Sequence, residues 1–429
     1  MFNRQDTESM EFYIIGITDN PQAWFPPEVM EVICRGRIFS GGTRHHELVR
    51  HLLPEPHVWI DIAPPLNQVF EAYHRHADQP WGTDRPGKTS RGVSADFLNA
   101  KKTSRGELVV VFASGDPLFY GFANTVMRME PEARVHVFPA FNSLQMLAHR
   151  ILLPYEAMRM VSQTGRPWQP LDEALIRGEG LIGVLCDPTK TPGVIARRML
   201  EYGYANYRLT VGERLGNPGQ ERIREFTLSE AAQEASWSHP CCIILQQTEP
   251  RPRPFGIPDA AFDLLNGRQN MITKAPLRLL TLSALDLHRR TCMWDIGFCT
   301  GSVSIEARLQ FPHLRVEAFE VRPEGEQLMR VNSRRLGAPG IGVHIGDFLS
   351  QDLGALPRPD AVFIGGHGGR LAEVVERAGR YLLPGGVIVF NSVSQESASL
   401  FRQAVGTCEE LYVTLEGHHP IRIMKKNYG

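Results

Sequence analysis

The chain has 429 residues, with 46 Lys and Arg against 47 Asp and Glu and a formal net charge of −1. That balance argues against a nucleic-acid or polyanion binder. No apolar run approaches the length of a membrane span, and the length predicts two or three domains.

Seven cysteines are scattered along the chain, with an adjacent pair at Cys241-Cys242 and no C-x-x-C. This fits reduced thiols and a cytoplasmic protein. The polar, mixed-charge start, Met1 to Glu11, does not read as a signal peptide. The adjacent pairs His45-His46 and His418-His419 point their side chains apart on a strand, so no metal site is expected.

Phe12 to Ile17 reads as a buried strand, and Pro26-Pro27 opens a helix to about Cys34. A short strand over 37–40, a helix over 44–53, a strand over 58–60 and a helix over 66–74 follow. Residues 79–106 then break the rhythm. They are polar and rich in Gly, Ser, Thr, Lys and Arg, and read as a long, mobile surface insertion. Within it, Gly82 to Thr89 formally matches the phosphate-binding pattern G-x-x-x-x-G-K-T. No apolar strand precedes it and no helix follows, so it reads as a solvated loop.

Leu108 to Phe112 is strongly apolar and runs into Ser114-Gly115-Asp116-Pro117-Leu118-Phe119-Tyr120-Gly121. Gly115 frees the backbone, Pro117 stiffens it, and a helix is expected from Leu118. The same strand-turn-helix form recurs. A strand over 135–138 leads to Pro139-Ala140-Phe141-Asn142-Ser143-Leu144-Gln145 and a helix to Ile151. A strand over 181–185 leads to Asp187-Pro188-Thr189-Lys190-Thr191-Pro192 and a helix through Leu200. A strand over 208–211 leads to Gly212-Glu213-Arg214-Leu215-Gly216. In this order the four motifs resemble the tetrapyrrole methylases, in particular the C5 methyltransferases of corrin biosynthesis, over about residues 12–247. The resemblance implies two α/β subdomains. It also implies a methyl-donor site that includes Ser114, Gly115, Asp116, Ser143, Leu144, Asp187 and Leu215.

Cys241 to Leu245 is the last strand of this part. The proline-spaced stretch from Gln246 to Pro254 reads as an extended, semi-rigid linker. A short helix is expected over 259–266, then a helix with Pro276 in its first turn and Thr273 as N-cap.

The stretch from Met293 to Ala307 reads as strand, glycine turn and helix. Such a turn aims backbone N–H groups and the positive end of a helix at a ligand. Its Asp-x-Gly-x-x-x-Gly spacing is the form of methyl-donor sites, not the G-x-G-x-x-G of dinucleotide folds. Glu320 ends the next strand, about where an acid would hold a ribose diol. Gly346-Asp347 follows a third strand over 343–345. A fourth, 360–364, ends in Gly365-Gly366-His367-Gly368-Gly369. Two strands near 411–415 and 421–424 close the chain.

Asp-Ile-Gly-x-x-Thr-Gly-Ser-Val-Ser-Ile-Glu-Ala, with Phe-Ile-Gly-Gly-x-Gly-Gly downstream, resembles the decarboxylating C15 methyltransferases of cobalamin biosynthesis. One departure stands out: the family's middle glycine is Cys299 here. The resemblance implies a Rossmann-like domain holding S-adenosyl-L-methionine through Thr273, Asp295, Gly297, Thr300, Gly301, Glu320, Asp347 and Phe348. A Thr-Lys pair at 273–274 either covers the donor or merely caps the helix.

The whole chain is thus expected to be α/β throughout. A tetrapyrrole methylase domain over 10–247 is followed by a linker over 248–258. A Rossmann-like decarboxylating methyltransferase domain over 259–429 completes it, as in the fused precorrin-6Y C5,15-methyltransferase family. That family methylates C5 and C15 of a precorrin and removes the C12 acetate carboxyl. The expected partners are the tetrapyrrole and a second copy of the chain in a homo-oligomer, with no nucleic acid, membrane or metal. Other readings remain: action through the C-terminal domain alone on another molecule, with the first half a scaffold, or nucleotide binding for regulation.

Methyl transfer from a sulfonium needs placement above all, so no nucleophile-base pair is required and no catalytic residue can be named. Candidate partners for the ring's carboxylates are Arg44, Arg166, Lys190, Arg214, Lys274, Arg278 and Arg370. His367 is a candidate for proton handling.

Overall fold

Strands such as Leu108–Ser114 are apolar on both faces, which suits a parallel strand covered by helices on both sides. The computed structural model describes residues 10–77, 108–268, 271–416 and 419–429. The insertion at 79–106, with its phosphate-loop lookalike, and His418 lie outside them.

The described residues form three sheets. The first contains β1 (Glu11–Ile17), β2 (Ile38–Gly41), β3 (Val58–Asp61), β4 (Leu108–Ser114) and β5 (Arg134–Phe138), in the order β3-β2-β4-β1-β5. All of its pairings are parallel. The second contains β6 (Arg159–Ser162), β7 (Leu181–Leu185), β8 (Tyr207–Glu213), β9 (Arg222–Thr227) and β10 (Cys241–Gln247), ordered β6-β7-β10-β8-β9. It is antiparallel except between β6 and β7.

The third contains β11 (Cys292–Ile296), β12 (Arg315–Glu320), β13 (Ile341–Ile345), β14 (Ala361–Ile364), β15 (Val387–Ser392), β16 (Glu409–Val413) and β17 (Ile421–Asn427). Its order is β13-β12-β11-β14-β15-β17-β16, parallel but for the last two strands. The strand order reverses between β11 and β14, the position where open α/β sheets bind ligands. The expected α/β class and its doubly wound C-terminal sheet are therefore present.

Local readings differ in three places. The helix expected from Leu118 begins at Ala123, because Asp116 Oδ1 accepts the Leu118 N–H at 2.9 Å and Tyr120 takes a φ of 54°. The helix expected over 259–266 is two separate 3₁₀ turns, Asp259–Ala261 and Leu265–Gly267. Thr273 is not an N-cap: the helix is Ala275–Leu285 and its flanking residue is Lys274. The Ala275 N–H is instead capped from a distance by Asp259 Oδ1 at 3.0 Å.

One buried apolar cluster crosses from the second sheet to the third. It joins Val184, Ile195 and Tyr204 to Ile305, Leu309 and Met329. Polar contacts stitch the same seam. Tyr204 donates its hydroxyl to the Gly337 carbonyl at 2.7 Å, and Gln169 donates to the His313 carbonyl at 3.0 Å. The connecting stretch is tacked down too. Arg251 stacks over Tyr204 at 4.3 Å and donates to the Tyr202 carbonyl. Gly256 and Ile257 donate their N–H groups to the buried Glu306 carboxylate.

Candidate active sites

The C-terminal site is a cavity of about 930 Å³ at the carboxyl ends of β11, β12, β13 and β14. Thr273, Asp295, Gly297, Thr300, Glu320, Asp347 and Phe348 all line it. Gly301 is not among the residues that line it. It has a φ of 77°, and a Cβ there would stand 2.6 Å from Met329 Sδ. Gly297, at φ 79°, would put a Cβ 2.5 Å from the Gly366 backbone N. Both glycines therefore answer to backbone sign and protein packing before any ligand. Cys299 holds a φ of 53°, a left-handed conformation costly for a side chain.

Asp295 is fully buried, and burial pushes its carboxyl up to about 7. Oδ2 accepts the Ser304 hydroxyl at 2.5 Å, while Oδ1 has no protein partner. Thr300 Oγ1 is likewise buried and unpartnered. Buried polar atoms are nearly always hydrogen-bonded, so two orphans on one cavity wall fit a polar ligand. Glu320, only 2 % exposed, closes the wall at the tip of β12. Oε2 accepts the Cys299 N–H at 2.9 Å, and Oε1 accepts the Arg322 N–H at 3.0 Å and its guanidinium at 3.1 Å. A carboxylate offers about four lone-pair directions, so Oε2 retains capacity for one more donor. Burial, then the Glu320 charge, raises the Cys299 thiol to about 11, so it stays protonated.

Several candidate partners for a substrate carboxylate prove otherwise engaged. Arg278 is fully buried. It pairs with Glu306 at 3.0 Å and Asp259 at 3.3 Å, and donates to the carbonyls of Thr273 and Ile257. It is a structural group with no surface to offer. Arg370 lines the cavity but pairs with Asp347 at 3.1 Å and Glu373 at 2.7 Å. His367 lines the cavity and accepts the Gly369 N–H on Nδ1 at 3.2 Å. Burial lowers its pKa, so the ring is neutral with its proton on Nε2. Arg322 and Asn391 also line the cavity without having been singled out from sequence. Arg322, two residues past Glu320 at the same strand tip, was the detectable one.

The N-terminal candidates gather at the tips of the first two sheets. Ser114 ends β4, Gly115 and Asp116 follow it directly, and Ser143 and Leu144 open the helix Ser143–Arg150. The two tips are joined by the Ala140 N–H donated to the Gly115 carbonyl at 3.2 Å. Leu144 and Leu215 meet in one apolar cluster beneath, so only their backbones could face a ligand. Asp187 is drawn elsewhere: Oδ1 accepts from Thr189 and Lys190, and Oδ2 accepts the Gly165 N–H at 2.9 Å. Burial works against ionisation, but these bonds outweigh it and hold the carboxyl at about 2. Arg166 lies over the Tyr120 ring at 5.0 Å, and Lys190 donates to the Arg166 carbonyl.

Asp19, in the turn after β1, was missed as a site residue. It is buried and paired with Arg44 at 2.5 Å and Arg214 at 2.6 Å. An acid at a parallel strand tip was its available signal, the same one that marks Glu320.

Known protein families match both halves of the chain. The family described as tetrapyrrole (corrin/porphyrin) methylases matches residues 11–232, and the precorrin methyltransferase domain family matches residues 266–416. A precorrin-6Y C(5,15)-methyltransferase [decarboxylating] from Sinorhizobium sp is 31% identical over 386 residues, 89% of this chain and 84% of that protein. A cobalt-precorrin-6B C(15)-methyltransferase (decarboxylating) from Salmonella typhimurium is 39% identical over 155 residues, 35% of this chain and 79% of that protein. A crystal structure of a precorrin-6Y C5,15-methyltransferase from Geobacter metallireducens GS-15 is 33% identical, covering 41% of this chain and 98% of that one, with a TM-score of 0.37. On the match that spans most of both chains, this protein belongs to the family of decarboxylating precorrin-6Y C5,15-methyltransferases.

Proposed function

We propose that the chain is a bifunctional, cytoplasmic methyltransferase of corrin biosynthesis. It methylates C5 and C15 of precorrin-6Y, or its cobalt form, and removes the C12 acetate carboxyl. The domain over 10–247 carries the C5 reaction, and the domain over 259–429 carries the C15 reaction and the decarboxylation. The observation that carries the reading is the cavity of about 930 Å³ at the strand-order reversal, with Asp295 Oδ1 and Thr300 Oγ1 buried and unpartnered in its wall.

S-adenosylmethionine, when bound, supplies an electrophilic methyl group on a sulfonium. Glu320 would hold its ribose, Asp295 and Thr300 would meet its polar amino-acid end, and Gly297 would bring the backbone turn under it. Thr273, Asp347 and Phe348 complete that pocket, and Gly301 would shape the turn from outside its lining. In the first half the corresponding positions are Ser114, Gly115, Asp116, Ser143, Leu144, Asp187 and Leu215. The protein's contribution to transfer is placement and exclusion of water. Neutral His367, with its ring proton on Nε2, is suited to meet the carboxyl lost from the ring.

Mass spectrometry of precorrin-6Y after incubation with the donor tests this. Gain of two methyls with loss of one CO₂ is expected. One methyl without CO₂ loss would restrict the activity to the first half. Decarboxylation with a single methyl would make that half a scaffold.

A further inference from the structure

The turn after β11 is left-handed at three residues: Gly297 at φ 79°, Cys299 at 53° and Gly301 at 77°. Cys299 is the costly one, because its Cβ crowds the backbone there. Such a conformation persists only where its surroundings over-determine it. On the cavity wall, Glu320 Oε2 accepts the Cys299 N–H at 2.9 Å. The next carbonyl, that of Thr300, accepts from Asn332 Nδ2 at 2.9 Å, and Asn332 is not among the residues that line the cavity.

Asn332 is fully buried on the helix Glu324–Leu336. Its Nδ2 donates a second time to the Asp263 carbonyl at 3.1 Å. Its Oδ1 accepts the Asp263 N–H at 2.8 Å and Arg335 Nη2 at 2.8 Å. A primary amide has two protons and two acceptor lone pairs, and all four are used. The partners also fix which way the amide faces: an N–H and a guanidinium can only donate, and two carbonyls can only accept. Asp263 lies between the 3₁₀ turns Asp259–Ala261 and Leu265–Gly267, outside any strand. Asn332 serves it as a neighbouring strand would, by pairing both of its backbone groups. The same helix supports the turn again through Met329, whose Sδ packs 2.6 Å from where a Gly301 Cβ would stand.

We infer that Asn332 is the positioning residue of the second donor turn. It pins the Thr300 peptide from outside the cavity, so that the unpartnered Thr300 hydroxyl is held for the donor. Through Asp263 it also bolts the turn to the segment that arrives from the first half. This rests on the reading of the second half as a methyl-transfer site. Asn332 touches no substrate atom. Its part is to keep a strained turn in one conformation before the donor arrives, which removes the ordering cost from binding.

The test uses the full chain. Asn332→Leu keeps the side chain's shape and removes all four bonds. It is compared with Thr300→Val, the double variant N332L/T300V, and Arg335→Ala, which removes bonds to Asn332 and Asp263 without touching Thr300. Calorimetry reads S-adenosylhomocysteine affinity at the second site, the one that Glu320→Ala weakens, with the first site of the same molecules as the reference for folded chain. Asn332→Leu should lose about tenfold at the second site alone, the scale of one hydrogen bond. Thr300→Val should also lose about tenfold, and the double variant no more than the worse single change. Arg335→Ala should stay within about threefold, as an exposed pair does. Amide hydrogen exchange supplies a readout free of ligand: Cys299 and Gly301 should exchange about tenfold faster in Asn332→Leu, with the β11 amides unchanged. Should the leucine variant not fold, Asn332→Ala takes its place in every assay. An affinity within about twofold of wild type overturns the role. So do additive losses in the double variant, an equal loss in Arg335→Ala, or unchanged exchange at the turn. If the wild-type chain shows no second S-adenosylhomocysteine site, the functional reading falls instead, and exchange at Cys299 and Gly301 alone then decides for or against Asn332.

Discussion

The two crevices handle buried acids in opposite ways, although Gln163 at the tip of β6 also keeps both amide atoms unpartnered. In the first half, charge is closed on itself: Asp19 takes both Arg44 and Arg214, and Asp187 spends one oxygen on its own loop and the other on the Gly165 N–H after β6. In the second half, Asp295 and Thr300 keep atoms with no partner on the wall of a deep cavity. A self-satisfied cluster fixes the distance between two layers and presents few groups outward. An unsatisfied wall stores a penalty that a ligand can relieve. The first arrangement favours geometry, the second affinity.

The comparison can be broken most severely at Arg278. Its charge is sealed inside the second half, unlike the partly exposed Arg44 and Arg214. Arg278→Ala should destabilise by about 3 kcal/mol, because Glu306 is left buried and unpaired. Denaturant unfolding reads this, and a KM change for the ring without a stability loss would contradict it. Glu320→Ala should come next, with about a hundredfold loss of S-adenosylhomocysteine affinity at one of two calorimetric sites. Unchanged affinity would show that the ribose assignment is wrong.

Asp295→Asn should cost about tenfold at the same site, since its free atom becomes a donor where an acceptor is needed. It also changes the pH response of the unliganded chain. Asp295 is raised to about 7 when folded, so its stabilising protonated form is fully present at low pH. That contribution is lost as pH climbs from about 4, the unfolded value, through about 7. The asparagine variant should lack this slope in melting temperature. The smallest effect is expected at Cys299→Gly, which should stabilise by up to about 1 kcal/mol by releasing a left-handed side chain.

Much of the second site was legible because its residues sit within short motifs at strand tips. Asp295, Gly297, Thr300 and Glu320 are set by local periodicity and a fixed crossover length. What failed was whatever depends on partners far along the chain. Arg278 looks like a free cation until Glu306 and Asp259 are seen to enclose it. Thr273 looks like a cap until Asp259 is seen to supply that bond. The turn at 118–122 has helical composition, but Tyr120 is drawn across to donate to the Met160 carbonyl at 3.1 Å. Asp19 gave its signal, yet its meaning needed Arg214, which lies 195 residues on.

The seam between the second and third sheets has a consequence for how the chain lives and dies. Tyr204, Ile305 and Met329 share one interior, so neither catalytic lobe can melt without exposing the other's flank. Both chemistries should vanish in a single cooperative transition on heating, and a lesion in one lobe should shorten the working life of its neighbour.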